Sequence, residues 1–71
     1  MKIEGQFYFY KVSKNDKYLI AYLVQNPNIK IMIPYQKDLF QKNLLIQGIV
    51  SRVKSLNSSS YMFLESFKVV N

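Results

Sequence analysis

Apolar and polar side chains alternate along the first half of the chain, a pattern typical of strands that are buried on one face. Segments rich in Ser, Asn, Asp and Pro, at residues 13–16 and 26–28, interrupt the alternation and predict turns. The strands predicted on either side of these turns are 3–12, 17–25 and 29–33. Together they would form a three-stranded antiparallel meander.

A consistent register follows if each turn is a loop of about three residues. The pairs that this register predicts are Phe7–Leu23, Phe9–Ala21, Leu23–Ile31 and Ala21–Ile33. All of these side chains are aliphatic or Phe, so they would form one apolar face. The reverse face would carry Tyr8, Tyr10, Tyr18, Ile20, Tyr22, Val24, Lys30 and Met32. A slip of one residue would mix the two sets.

The pattern changes after Pro34, which cannot donate a hydrogen bond within a sheet and is expected to end the third strand. Residues 35–43 are mostly polar and predict one short helix of about two turns. Its apolar residues, Leu39 and Phe40, would cover an open end of the sheet structure.

Two further strands are predicted in the last third of the chain, at residues 44–54 and 61–70, with a flexible turn at 56–59. Gly48 interrupts the first of them and indicates a bulge or a bend, and with Gly5 it would serve barrel curvature. In the last strand the alternation assigns Phe63, Phe67 and Val69 to one face. Met62, Leu64 and Val70 fall on the other.

The predicted order is three strands, a short helix and two strands in a single domain covering residues 1–71. This order and its patterning resemble a minimal OB-fold of the kind found in single-stranded-DNA-binding proteins. We therefore predict an all-β fold, a small five-stranded OB-fold-like barrel with one short helix between strands 3 and 4. An SH3-like barrel is the alternative, although it usually has no helix before the last hairpin. Bacterial single-stranded-DNA-binding proteins have a longer domain and an acidic tail that recruits partners. We therefore expect this chain to resemble a short accessory protein that lacks that tail.

The composition restricts the catalytic and metal-binding chemistry that the chain could perform. The 71 residues include no Cys and no His, which removes thiolate sites, the commonest general base and the commonest metal ligand. The acidic residues number only 4 and are scattered. We therefore expect no catalytic residues, no metal, no cofactor and no enzymatic activity. No apolar run approaches the roughly 20 residues of a membrane span, and we see no signal peptide. We expect a cytoplasmic protein without a membrane role.

The net charge of +6 favours nucleic acid, anionic lipid or an acidic protein as the partner, and the aromatic residues indicate where it binds. In OB-folds the ligand lies across the second and third strands, between the first-to-second and fourth-to-fifth loops. Rings there would stack on bases while cations neutralise phosphates. The candidate nucleic-acid-binding residues are Tyr8, Tyr10, Lys14, Lys17, Tyr18, Tyr22, Lys30, Arg52 and Lys54.

Each of these residues also has a simpler explanation. Tyrosine pairs stabilise sheets without any ligand, and lysines beside turns are often merely solvated. Two functional hypotheses therefore stand side by side. The first is a single-stranded nucleic-acid binder, with DNA favoured over RNA, in replication or recombination of a phage, plasmid or other mobile element. The second is a protein-interaction module or inhibitor whose aromatic face binds an acidic partner. Self-association into a homodimer belongs to this second hypothesis.

Overall fold

A computed structural model describes residues 1–70 as five strands and one 3-10 turn. The strands are β1 (Lys2–Val12), β2 (Tyr18–Leu23), β3 (Asn26–Pro34), β4 (Asn43–Leu56) and β5 (Ser59–Val70). They form a closed barrel in the order β1-β2-β3-β5-β4, in which β4 pairs back onto β1. The β3–β5 pair is parallel and the other pairs are antiparallel. The predicted all-β fold with a barrel of five strands is confirmed, and the closed barrel is consistent with an OB-fold-like domain.

The barrel interior is filled by aliphatic and aromatic side chains from every strand. The fully buried large residues are Phe7, Phe9, Leu19, Ile31, Ile33 and Ile46. No polar or charged residue of the part described is buried. The core therefore depends on apolar burial, at about 25 cal/mol per Å² of surface removed from water.

The β1–β2 register agrees with the prediction. Phe7 lies opposite Leu23 and Phe9 lies opposite Ala21. The register then shifts between Phe9 and Lys11, so that Tyr10 is the extra residue of a β-bulge. Alternation already directs Tyr10 outward, and the extra residue reverses the alternation after it, so that Val12, opposite the buried Leu19, packs against the core.

The predicted β2–β3 register is wrong by two residues. Ala21 pairs with Ile31 and Leu19 with Ile33, whereas Leu23 pairs with Asn26. The cause is the position of the turn. The chain reverses at Val24 and Gln25, and the predicted turn residues 26–28 already belong to β3. A shift of two keeps every side chain on its predicted face, so the core assignment survives the error.

The predicted helix is present but shorter than expected, as a single 3-10 turn, Lys37–Leu39. Leu39 is 7% exposed and joins the core at this end of the barrel. Phe40, which we expected beside it, is 37% exposed. The chain turns away after Leu39 because Phe40 is extended and Gln41 has a positive φ of 64°.

The face assignment predicted for the last strand is wrong because a bulge divides it. Ile49 pairs with Ser66, but the next residue, Val50, pairs with Leu64, which leaves Glu65 without a partner on β4. Met62 and Leu64, which precede the bulge in the chain, are in the core. Phe67 and Val69, which follow the bulge, pack against the core. Tyr61 and Phe63 are consequently on the outside.

Gly48 lies immediately before this irregularity, as its place in the sequence suggested. A Cβ at position 48 would come within 2.7 Å of the Leu64 Cδ1 atom and 3.0 Å of the Ser66 carbonyl oxygen. Only glycine allows β4 and β5 to approach so closely there.

Candidate functional site

Six aromatic rings share one outer surface of the barrel, across β1, β2 and β5. We call this surface the aromatic face; its rings are those of Tyr8, Tyr10, Tyr18, Tyr22, Tyr61 and Phe63. Alternation directs them outward, since their neighbours in the same strands fill the core. All six are half-buried. Each ring is thus supported by the sheet and still accessible to solvent.

Tyr22 is the centre of the first group of rings. Its ring centroid lies 5.6 Å from that of Tyr8, edge to face, and 5.3 Å from that of Tyr10. Both distances fall in the range of favourable aromatic pairs. Tyr8 is the cross-strand partner of Tyr22, whereas Tyr10, at the bulge, has no direct partner on β2 and contacts Tyr22 from the next outward position of β1.

Burial raises the pKa of the Tyr10 hydroxyl above its ordinary value of 10.0. The nearby hydroxyls of Tyr61 and Tyr22 raise that pKa further, because a second phenolate would be repelled by the first.

Lys30 connects the tyrosines of β2 and β5. It pairs with Tyr22 on one side and with Tyr61 on the other. Its Nζ lies 5.7 Å from the centroid of the Tyr61 ring, a cation–π distance. The same Nζ donates hydrogen bonds to the Pro27 carbonyl oxygen at 2.9 Å and to the Ser59 Oγ at 3.2 Å. This cation is held in place within the aromatic face.

Phe63 organises the second group. The ring of Tyr18 packs edge to face against it with centroids 5.8 Å apart, and the guanidinium of Arg52 lies above it. Lys54 pairs with Tyr61 one step further along the β4–β5 hairpin. Each cation of β4 thus has an aromatic residue of β5 as its cross-strand partner.

The two remaining predicted residues, Lys14 and Lys17, are exposed in the loop between β1 and β2. Asn15 shapes this loop, because its Oδ1 accepts hydrogen bonds from the Ser13 hydroxyl at 2.6 Å and the Lys17 backbone N–H at 3.1 Å. The loop follows Val12 at the end of β1 and leads into Tyr18 at the start of β2. It therefore borders the aromatic face at Tyr18, next to Lys17.

The structure adds Tyr61 and Phe63 to the candidate site, and sequence reasoning missed both. The signal available was their alternation with Met62 and Leu64, which the bulge at Glu65 obscured. Tyr61 lies beside Lys30 because β3 and β5 form a parallel pair. No local pattern in the sequence predicts a pairing between strands so far apart along the chain.

Comparison with other proteins returns no relatives: no family model, curated protein or solved structure matches this chain. Within residues 1–70 there is no cluster of three or more acidic side chains arranged to hold a metal ion. The same residues include no helix of the length and apolar character needed to cross a bilayer.

Proposed function

We propose that this protein is a non-enzymatic single-stranded nucleic-acid-binding protein that uses the aromatic face. One observation carries the proposal: six half-buried rings and the cations Lys30, Arg52 and Lys54 occupy a single outer surface. In OB-folds, ligands bind across the second and third strands, between the first-to-second and fourth-to-fifth loops; here those two strands carry Tyr18, Tyr22 and Lys30.

Stacking would supply most of the short-range affinity. A base stacked on an aromatic ring contributes about 1–3 kcal/mol, and every base has a face that can stack. The expected ligand is therefore a single strand, whose bases are unpaired and accessible, and the expected sequence preference is small.

The cations would supply the salt-dependent part of the affinity by displacing counterions from phosphates. Lys30 is held among the rings, whereas Lys14 and Lys17 lie on the bordering loop, where they would contact phosphates further along the strand. The overall charge of +6 would favour association with any polyanion. Specificity for single strands must then come from the rings.

On the resemblance to small OB-fold proteins that bind single-stranded DNA, we propose DNA as the preferred ligand over RNA. An accessory role in replication or recombination of a phage, plasmid or other mobile element would suit a protein of this size.

Fluorescence anisotropy of labelled oligonucleotides at several salt concentrations tests the proposal, with oligo-dT, oligo-rU and a duplex of equal length compared directly. Tyr8→Ala and Tyr22→Ala should each weaken oligo-dT binding about five- to hundredfold, the equivalent of one stacked base. Tyr35→Ala is the matched control, because Tyr35 is 44% exposed but lies outside the aromatic face.

Binding to duplex as strong as to oligo-dT would contradict the proposal. So would an equal loss of affinity in the Tyr35 variant and the two variants of the aromatic face. Circular dichroism of each variant separates a loss of binding from a loss of fold.

A further inference from the structure

The C-terminal part of β4 has an edge that no strand within residues 1–70 covers. Pairing between β1 and β4 ends at Ile49, and the last hydrogen bond there joins the Val50 N–H to the Met1 carbonyl oxygen. Pairing between β4 and β5 continues to Leu56. Within the described chain, residues 51–56 therefore have a strand on one side only, and all six are exposed.

The two faces of this edge differ in chemistry. Arg52 and Lys54 are on the side of the aromatic face, opposite Phe63 and Tyr61. Val53 is on the other side, opposite Met62, and is 54% exposed. It borders an open depression at the end of the barrel that is lined largely by apolar side chains, including Met1, Ile3, Leu23, Ile29 and Met62.

An uncovered edge invites pairing with another strand, and proteins commonly protect such edges with charge. A second copy of this chain is a poor occupant. Antiparallel pairing centred on Val53 would place Arg52 of each copy opposite Lys54 of the other. A shift by two residues would place Arg52 opposite Arg52 of the other copy, or Lys54 opposite Lys54. Like charges directly opposite one another destabilise a strand pair.

We propose that residues 51–56 bind an extended acidic segment of a partner protein as an additional β-strand. Backbone hydrogen bonds along the free edge hold the segment, as in other cases of strand addition. Its carboxylates alternate on the side of Arg52 and Lys54. Its apolar side chains alternate on the side of Val53 and extend toward the depression.

Strand addition and the proposed nucleic-acid binding depend on different groups of the protein. Strand addition depends on the β4 backbone and not on the tyrosine rings. Arg52 and Lys54 take part in both, so an acidic segment and an oligonucleotide weaken each other's binding. Occupation of the edge is then a means by which a partner protein releases the bound strand.

The probe is a fluorescein-labelled peptide of alternating glutamate and valine, long enough to span residues 51–56. We expect it to bind at low salt, and a peptide with lysine in place of glutamate to bind far more weakly. Two backbone-methylated versions make the decisive comparison, one methylated at every glutamate nitrogen and the other at every valine nitrogen. Alternate N–H groups of a strand point to opposite edges, so only one version loses the donors that face β4.

We expect one methylated peptide to bind at least about tenfold more weakly than the other, since several backbone hydrogen bonds are lost together. Hydrogen exchange at residues 51–56 should slow when the parent peptide binds. Equal affinity of the two methylated peptides, or no binding by the parent, overturns the proposal. A dimer in sedimentation, with residues 51–56 protected before peptide is added, also overturns it, because a second copy is then the occupant.

The Tyr8→Ala/Tyr22→Ala double variant separates this proposal from the nucleic-acid function. It should lose oligo-dT binding and keep peptide binding. If wild type binds peptide but no oligonucleotide, the nucleic-acid function fails and strand addition stands; the reverse result rejects strand addition alone.

Discussion

The guanidinium carbon of Arg52 lies 4.2 Å from the centroid of the Phe63 ring. This distance is that of a close cation–π contact, and the two residues are also cross-strand partners in the β4–β5 hairpin. A guanidinium stacked on a ring presents its other planar face outward, where a base can stack on it. Arg52 would then be a stacking surface as well as a positive charge.

Replacing Arg52 by Lys tests this dual role, because lysine keeps the charge and loses the plane. We expect Arg52→Lys to weaken oligo-dT binding about threefold to tenfold, with the dependence on salt unchanged. Anisotropy titrations at several salt concentrations measure both quantities. Lys54→Arg is the matched control and should leave affinity unchanged or raise it. Unchanged affinity together with an unchanged dependence on salt in Arg52→Lys would mean that Arg52 acts only through its charge.

The two glycines should respond differently to substitution by alanine. At Gly48 the new Cβ meets the Ser66 backbone carbonyl as well as Leu64, and backbone cannot move aside cheaply. At Gly5 the nearest atom, 2.6 Å away, is the Leu23 Cδ1 at the end of a flexible side chain. We expect Gly48→Ala to destabilise the protein by about 1–3 kcal/mol and Gly5→Ala by less. Urea unfolding measures both, and the opposite ranking would refute this description of the β4–β5 contact.

The turn between β4 and β5 contains two non-glycine residues with positive φ, Asn57 at 51° and Ser58 at 66°. Asn tolerates this conformation, whereas Ser pays a steric cost that Gly avoids. Ser58→Gly creates the Asn-Gly sequence favoured in two-residue hairpins and should stabilise the protein by about 0.5–1 kcal/mol. Thermal unfolding is the measurement, with Ser55→Gly in the adjoining strand as the control that should destabilise.

Tyr10 should make folding sensitive to alkaline pH. Its pKa in the folded protein lies above the ordinary 10.0, so the unfolded chain releases this proton first as pH rises. The Tyr10 contribution to stability is therefore complete below pH 10.0 and declines as pH rises above it. Tyr10→Phe should flatten this decline, and tyrosinate absorbance of the wild type should show one late-titrating ring that the variant lacks. An identical alkaline decline in both proteins would count against the burial of the Tyr10 hydroxyl.

Alternation and a short turn together predicted the β1–β2 register correctly as far as Phe9, but they did not predict the bulge at Tyr10, after which the register shifts by one residue. The pairs Phe7–Leu23 and Phe9–Ala21 follow from those two constraints alone. The β2–β3 hairpin failed because Asn26 and Pro27 have the composition of a turn but lie in β3. Tertiary pairing outweighed local turn preference there, and Val24 and Gln25 became the turn.

The amino-acid sequence by itself determined the β class, the element order, the absence of His and Cys chemistry, and the outward position of Tyr8 and Tyr22. These properties depend on composition and on a period of two, which are local. Only the tertiary structure decided that Tyr61 lies beside Lys30, that Phe63 lies beneath Arg52, and that residues 51–56 form an uncovered edge. Those outcomes depend on barrel closure and on the bulge at Glu65. Both are set by packing between strands distant along the chain, which no local pattern contains.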